Sequence, residues 1–128
     1  MFNSNEAKDM IAEVNATYRH SIQSFLQEWE PDEPGICLIL SQISDVTVQF
    51  FQSDKMDIVK NVFEVVEALL VNGDNTVKNA AATCFLENIL HRVPQEVSPN
   101  ALRLVLGPQS LYYCREWNKF TNVSVEGF

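Results

Sequence analysis

Glycine is scarce in this chain, and its four copies (Gly35, Gly73, Gly107, Gly127) never fall close together. A phosphate-cradling loop needs clustered glycines so that backbone N–H groups can approach the ligand, so no nucleotide-binding signature is present. Histidine is scarcer still. His20 and His91 stand alone on helical stretches, and nothing marks the nucleophile, base and orienting group that a covalent relay requires. No enzyme and no bound cofactor are expected.

Long apolar runs are also missing. None approaches the roughly 20 residues that span a bilayer, and the start of the chain, residues 1–9, carries charges of both signs. Neither a membrane span nor an export segment is predicted, which points to a cytoplasmic protein. The three cysteines, Cys37, Cys84 and Cys114, are odd in number, far apart and set among apolar neighbours. A disulfide framework or a paired metal-ligand motif is not expected from such a pattern, and all three read as buried thiols.

Cations are few as well: nine Lys and Arg against 17 Asp and Glu, a net charge of -8. This balance opposes direct nucleic-acid binding. The acidity is concentrated before residue 75, where 13 of the acidic residues face only Lys8, Arg19, Lys55 and Lys60.

What is present is helical periodicity. Ile11, Val14, Tyr18, Ile22, Phe25 and Trp29 recur at spacings of three and four, predicting one long N-terminal helix over residues 1–30 with an Asn3/Glu6 capping box. Pro31 and Pro34 end it in an acidic turn, 31–34. Residues 36–51 are rich in β-branched side chains, yet Ile36, Ile39, Leu40, Ile43, Val46, Thr47 and Phe50 share one helical face. A third helix follows Ser53 or Asp54 and ends at Gly73 as a left-handed cap. A fourth covers 76–92, completing the central helices of 35–92. Ser98-Pro99 and Gly107-Pro108 then open two C-terminal helices within 94–121, the last with Tyr113, Trp117 and Phe120 in a stripe. Residues 122–128 form a loosely held tail. The sum is an all-α single domain, an irregular stack of about six antiparallel helices. The pair around the Asn72 to Asn75 turn is of HEAT type.

Carboxylates supply the candidate chemistry. Glu28, Glu30, Asp32 and Glu33 are dense, but their spacing fits no EF-hand loop and lacks its central glycine, so no metal site is expected. Glu87 sits among apolar residues; if buried it must cap a neighbouring helix or bond loop amides, with a partner contact or a metal as the alternative. The outward acids, Glu28 to Glu33 with Asp45, Asp57, Glu64 and Glu67, make either a solvated face or a surface for a basic protein.

Residues 62–120 also resemble a family of small helical bacterial immunity proteins found beside contact-dependent growth-inhibition and other polymorphic toxins. The resemblance rests on Glu67-Ala68-Leu69-Leu70 with Gly73-Asp74, Val77-Lys78-Asn79, Phe85-Leu86-Glu87-Asn88-Ile89-Leu90, and Leu106-Gly107-Pro108-Gln109-Ser110 ahead of Trp117 and Phe120. It implies a helical fold and an inhibitor's role; taken with the acidity of the chain, the expected partner is the C-terminal domain of a cognate toxin, a basic ribonuclease, bound as a 1:1 heterodimer. On this reading Asp57, Glu64 and Glu67 contact the toxin, with Glu28, Glu30, Asp32 and Glu33 as a second patch and Trp29 as an aromatic anchor. The alternative is a helical scaffold that binds a regulatory protein through the basic Arg103, Arg115 and Lys119.

Overall fold

The computed structural model describes residues 1–121, and side chains as far as Lys119. The predicted tail lies outside the described residues, as does the side chain of Phe120. Among the described residues seven helices form one all-α domain. They are α1 (Ser4–Ala12), α2 (Ala16–Trp29), α3 (Ile36–Gln52), α4 (Met56–Asn72), a helix made of α5 (Asn75–Asn79), a π-helical segment (Ala80–Leu86) and α6 (Glu87–Leu90), then α7 (Pro99–Val105) and α8 (Pro108–Thr121).

Local chemistry accounts for most boundaries. Asn3 and Glu6 form the expected capping box. The single N-terminal helix, however, is two. Asn15 turns its side chain back to accept from the Tyr18 N–H, caps α2 and breaks the chain after Ala12. The apolar spacing keeps phase across this break, so Ile11 and Tyr18 are both buried in the same core. Between α3 and α4, Asp54 takes a left-handed conformation (φ 57°), which a short polar side chain tolerates better than most. Gly73 is not the left-handed cap expected of it. Its backbone is extended, and glycine is needed because a Cβ there would collide with the Leu69 carbonyl and the Val77 side chain. Asp74 caps the helix that follows. Phe2 pairs with this turn: its N–H donates to Asn72 O at 2.7 Å and its carbonyl accepts from Asp74 N–H at 2.8 Å.

The core centres on α3, which packs most extensively against the π-helical segment. That segment offers Ala80, Ala81 and Ala82, so the two backbones approach closely. Phe63 stacks edge-on against both Phe51 and Phe85, tying α4 to α3 and to the π segment. On the other side of α3, the buried Tyr18 hydroxyl lies 2.7 Å from Thr47 Oγ1, which itself donates to Ile43 O, so the phenol is the donor. Burial holds the Tyr18 phenol above its usual range.

The cysteine reading is corrected here. Cys37 and Cys84 are joined in a disulfide, with Cα atoms 5.3 Å apart, and Cys114 alone is a free buried thiol. The bond links the first turn of α3 to the π segment, two elements far apart in sequence that only the folded packing brings together. Where the helix widens, the Glu87 N–H reaches back five residues to Ala82 O. The Cys84 carbonyl is covered by side chains, Asn88 Nδ2 at 2.7 Å and Ser41 Oγ at 3.4 Å.

Closing a loop across a sequence separation of 47 stabilises the fold by about 4 kcal/mol at most, and typically about 2–4. Urea denaturation with and without dithiothreitol should show that loss, and Cys37→Ser should reproduce it; an unchanged midpoint would mean the bond adds nothing to stability.

Candidate functional site

The carboxylates divide into two sets. Two of them turn inward and hold α8. Glu67, on α4, accepts three hydrogen bonds at the start of α8: Gln109 N–H at 2.8 Å, Ser110 N–H at 2.9 Å and Ser110 Oγ at 2.8 Å. It caps that helix from a neighbouring one, meeting free N–H groups and the positive end of the helix dipole. Gly107 lies close beside it: a Cβ there would come within 2.6 Å of the Glu67 carboxylate and push it out of its place. Glu87, at the start of α6, accepts from Tyr113 OH at 2.9 Å and from Trp117 Nε1 at 3.0 Å. This is the structural fastening that its apolar surroundings called for, although its donors are side chains of α8 rather than loop amides. Burial, and then the Glu87 carboxylate, push the Tyr113 phenol above its usual range. Burial also pushes the Cys114 thiol up to about 12.

The other set faces solvent. A shallow groove of about 440 Å³ runs between α1 and α4, lined by Met10, Glu13, Val14, Asn61, Glu64, Val65 and Ala68. Apolar Met10, Val14, Val65 and Ala68 line it together with Asn61, and its two carboxylates, Glu13 and Glu64, are exposed. On α4 the same face runs from the exposed Asp57 at one end through the part-buried Ala68 to the exposed Val71 at the other, at spacings of three and four. Glu13 did not figure among the candidates, because a continuous helix through residue 14 gave no reason to separate it from other solvated acids.

Of the residues expected to contact a partner, the structure therefore places Glu64 in the groove and Asp57 one end of α4 away from the Gly73 turn. Glu67 leaves this face, because its carboxylate is committed to α8. Glu28, Glu30, Asp32 and Glu33 are exposed at the end of α2 and in the following turn, and Trp29, 38% exposed, lies against Phe25. Glu33 shares a small cavity with Ser4, Asn5 and Thr76. That puts this patch near the Gly73 end of α4. Asp57 is in the first turn of α4, about 24 Å away at 1.5 Å per helical residue. The two expected patches are thus distinct, with the groove between them. Arg103 and Arg115 are exposed, and Lys119 pairs with Glu116 at 3.3 Å.

Among the described residues, no group of three or more His, Cys, Asp and Glu side chains is placed to hold a metal ion, and no helix is long and apolar enough to cross a membrane. What the fold and the groove define is an all-α domain with an acidic, amphipathic surface on α1 and α4. By sequence the chain belongs to the family of a domain of unknown function, DUF7674, whose model matches residues 5–122. No curated protein and no solved structure matches it.

Removing the α8 fastenings has a defined cost. Glu67→Ala should lose about 1–2 kcal/mol, the worth of a helix cap, and Glu87→Ala about 1–3 kcal/mol, the cost of leaving the part-buried Tyr113 and Trp117 donors without their acceptor. Amide exchange in residues 108–119 should rise in both variants; unchanged protection would show that α8 docks without them. A pH effect follows from Cys114, whose thiol stays neutral in the native state up to about 12 against an ordinary value of 9.0. The raised native value means that its contribution is intact below the unfolded value and is lost as pH rises towards the native one. Stability should therefore fall by roughly 1.4 kcal/mol per pH unit through that window. Urea midpoints on either side of the window measure this, and Cys114→Ala should flatten the slope.

Proposed function

We propose that this protein is an immunity protein, which binds the C-terminal toxin domain of a cognate effector and neutralises it by covering its substrate cleft. The observation that carries the reading is a one-sided surface. Among the described residues the ion pairs are Arg92 with Asp45 and Glu96, and Lys119 with Glu116. Glu13, Asp57 and Glu64, and the patch of Glu28, Glu30, Asp32 and Glu33, take part in none of them. Lys8, Lys55 and Lys60 lie nearby and offset part of their field, but the seven carboxylates outnumber them, and the net acidic surface is complementary to a cationic groove. A ribonuclease cleft is a cationic groove, lined to receive phosphates, and exposed carboxylates at similar spacing occupy it without being cleaved. The resemblance of residues 62–120 to immunity proteins supports the same conclusion.

The partner surface is then the α1/α4 face with Glu13, Asp57 and Glu64, extended by the patch around Trp29. Glu67 and Glu87 act through α8 and do not enter the contact set. The complex is a 1:1 heterodimer of an acidic inhibitor and a basic toxin, with no nucleic acid bound directly.

This reading places the protein in the bacterial cytoplasm, where a ribonuclease finds its target. Cytosolic reductants open most disulfides, so the Cys37–Cys84 bond stands against that location. The proposal therefore requires a fold that survives with both thiols reduced, and the reduced arm of the urea comparison decides it: a chain that unfolds on reduction at growth temperature does not work in the cytoplasm.

The direct test is co-purification with the C-terminal domain of the effector encoded beside it, followed by a ribonuclease assay of that domain alone and of the pair. A stable 1:1 complex that silences cleavage is the expected result. Free toxin activity in the presence of excess protein would overturn the proposal.

A further inference from the structure

We propose that the α1/α4 groove is an anchor site for a cationic amphipathic helix of the protein partner, its apolar side chains on the floor and its Lys or Arg side chains against Glu13 and Glu64. The inference deepens the immunity reading and rests on it for the partner's identity, but its geometry is independent of any toxin.

Three features select that occupant. The first is shape. Phe2 pairs with the turn at Gly73 while Val14 sits beside Asn61, so α1 and α4 run antiparallel and leave a straight furrow between them. A third helix fills such a furrow by ridges in grooves, and Ala68, the smallest lining residue, makes room for a large side chain at its floor. The second is the apolar lining. Met10, Val14 and Val65 are each only half-buried, and Val71, 50% exposed, prolongs the apolar line beyond Ala68. Covering them removes apolar surface from water.

The third is charge. Glu13 is the C-cap of α1, whose last turn contains no basic residue. The negative end of the α1 dipole therefore adds to the Glu13 carboxylate at the rim. Glu64 faces it from α4, and neither is in an ion pair among the described residues. An anionic or purely apolar helix would leave both carboxylates desolvated without a partner, which costs more than the apolar contact returns. The α1 axis, nine residues long, spans about 13 Å, so two to three turns of the partner helix engage it.

The test uses the intact protein and a synthetic helix-forming peptide of leucine and lysine, with a leucine and glutamate peptide of the same pattern as control. Methyl NMR should show shifts at Met10, Val14, Val65 and Ala68 with the lysine peptide alone. The double variant Glu13→Lys, Glu64→Lys should weaken binding by about tenfold or more, with the loss shrinking in high salt. Ala68→Trp, which fills the floor without changing charge, should also weaken it. Shifts centred on Trp29 or on the exposed Leu104 of α7 and Tyr112 of α8, equal binding of the glutamate peptide, or a self-associating protein whose own copy fills the groove would each overturn the proposal. A toxin domain that binds the double variant as tightly as the unaltered protein removes the groove while leaving the immunity reading in place. Peptide binding without toxin neutralisation does the reverse.

Discussion

The close approach of α3 to the alanine-rich helix at residues 75–90 is the constraint from which the remaining packing follows. Ala80, Ala81 and Ala82 let the backbones come near, and the π-helical widening adjusts the helix phase so that Cys84 meets Cys37 while Phe85 reaches Phe63. Once that pair is set, α2 is fixed on the far side of α3 through Tyr18 and Thr47, and α4 is fixed by the Phe51, Phe63 and Phe85 stack. Glu87 then emerges at the end of the π segment, directed at the Tyr113 hydroxyl and the Trp117 indole. The position of α8 thus descends from the geometry of a helix five residues per hydrogen-bonded turn wide, together with one capping carboxylate from α4.

This arrangement separates carboxylates by what they meet. Glu67 and Glu87 are the same residue type as the solvent-facing Glu13 and Glu64, yet each accepts hydrogen bonds from α8 and is spent on structure. Glu13, Asp57 and Glu64 face solvent and take part in no ion pair among the described residues. The division gives the acidity two meanings: Glu67 and Glu87 fasten the fold, and the outward carboxylates are those the proposal assigns to a partner. It also means that the sequence segments carrying the resemblance to immunity proteins, which include Glu67, Gly107, Ser110 and Glu87, are largely the fastening of α8. They speak to the scaffold more than to the surface that chooses a partner.

Helix chemistry was legible where a side chain acts on its own neighbours. Asn3 with Glu6, and Ser98 before Pro99, cap their helices as their spacing requires, and the β-branched stretch of α3 follows its periodicity over its strand propensity. The break at Asn15 was written in a capping residue but hidden by apolar spacing that continues in phase across it. The π segment left no mark, since an alanine run satisfies an ordinary helix equally well. The disulfide depends on that segment and was unreadable for the same reason. Glu67 looked like Glu64 because local pattern sees only one helix face; the arrival of Ser110 from 43 residues away is a tertiary fact. For the candidate site, Glu64 and Asp57 were readable as exposed acids, whereas Glu13 and the furrow itself exist only once α1 stops early and lies along α4.

The central claim is that the outward carboxylates recruit a cationic protein through their summed field. The association rate of this protein with the proposed toxin domain, measured by stopped flow as ionic strength is raised, tests it most directly. A rate that falls steeply with salt, and less steeply for Glu64→Lys, is the predicted result. A rate indifferent to salt and to that substitution would contradict it and place recognition on an uncharged surface elsewhere on the domain.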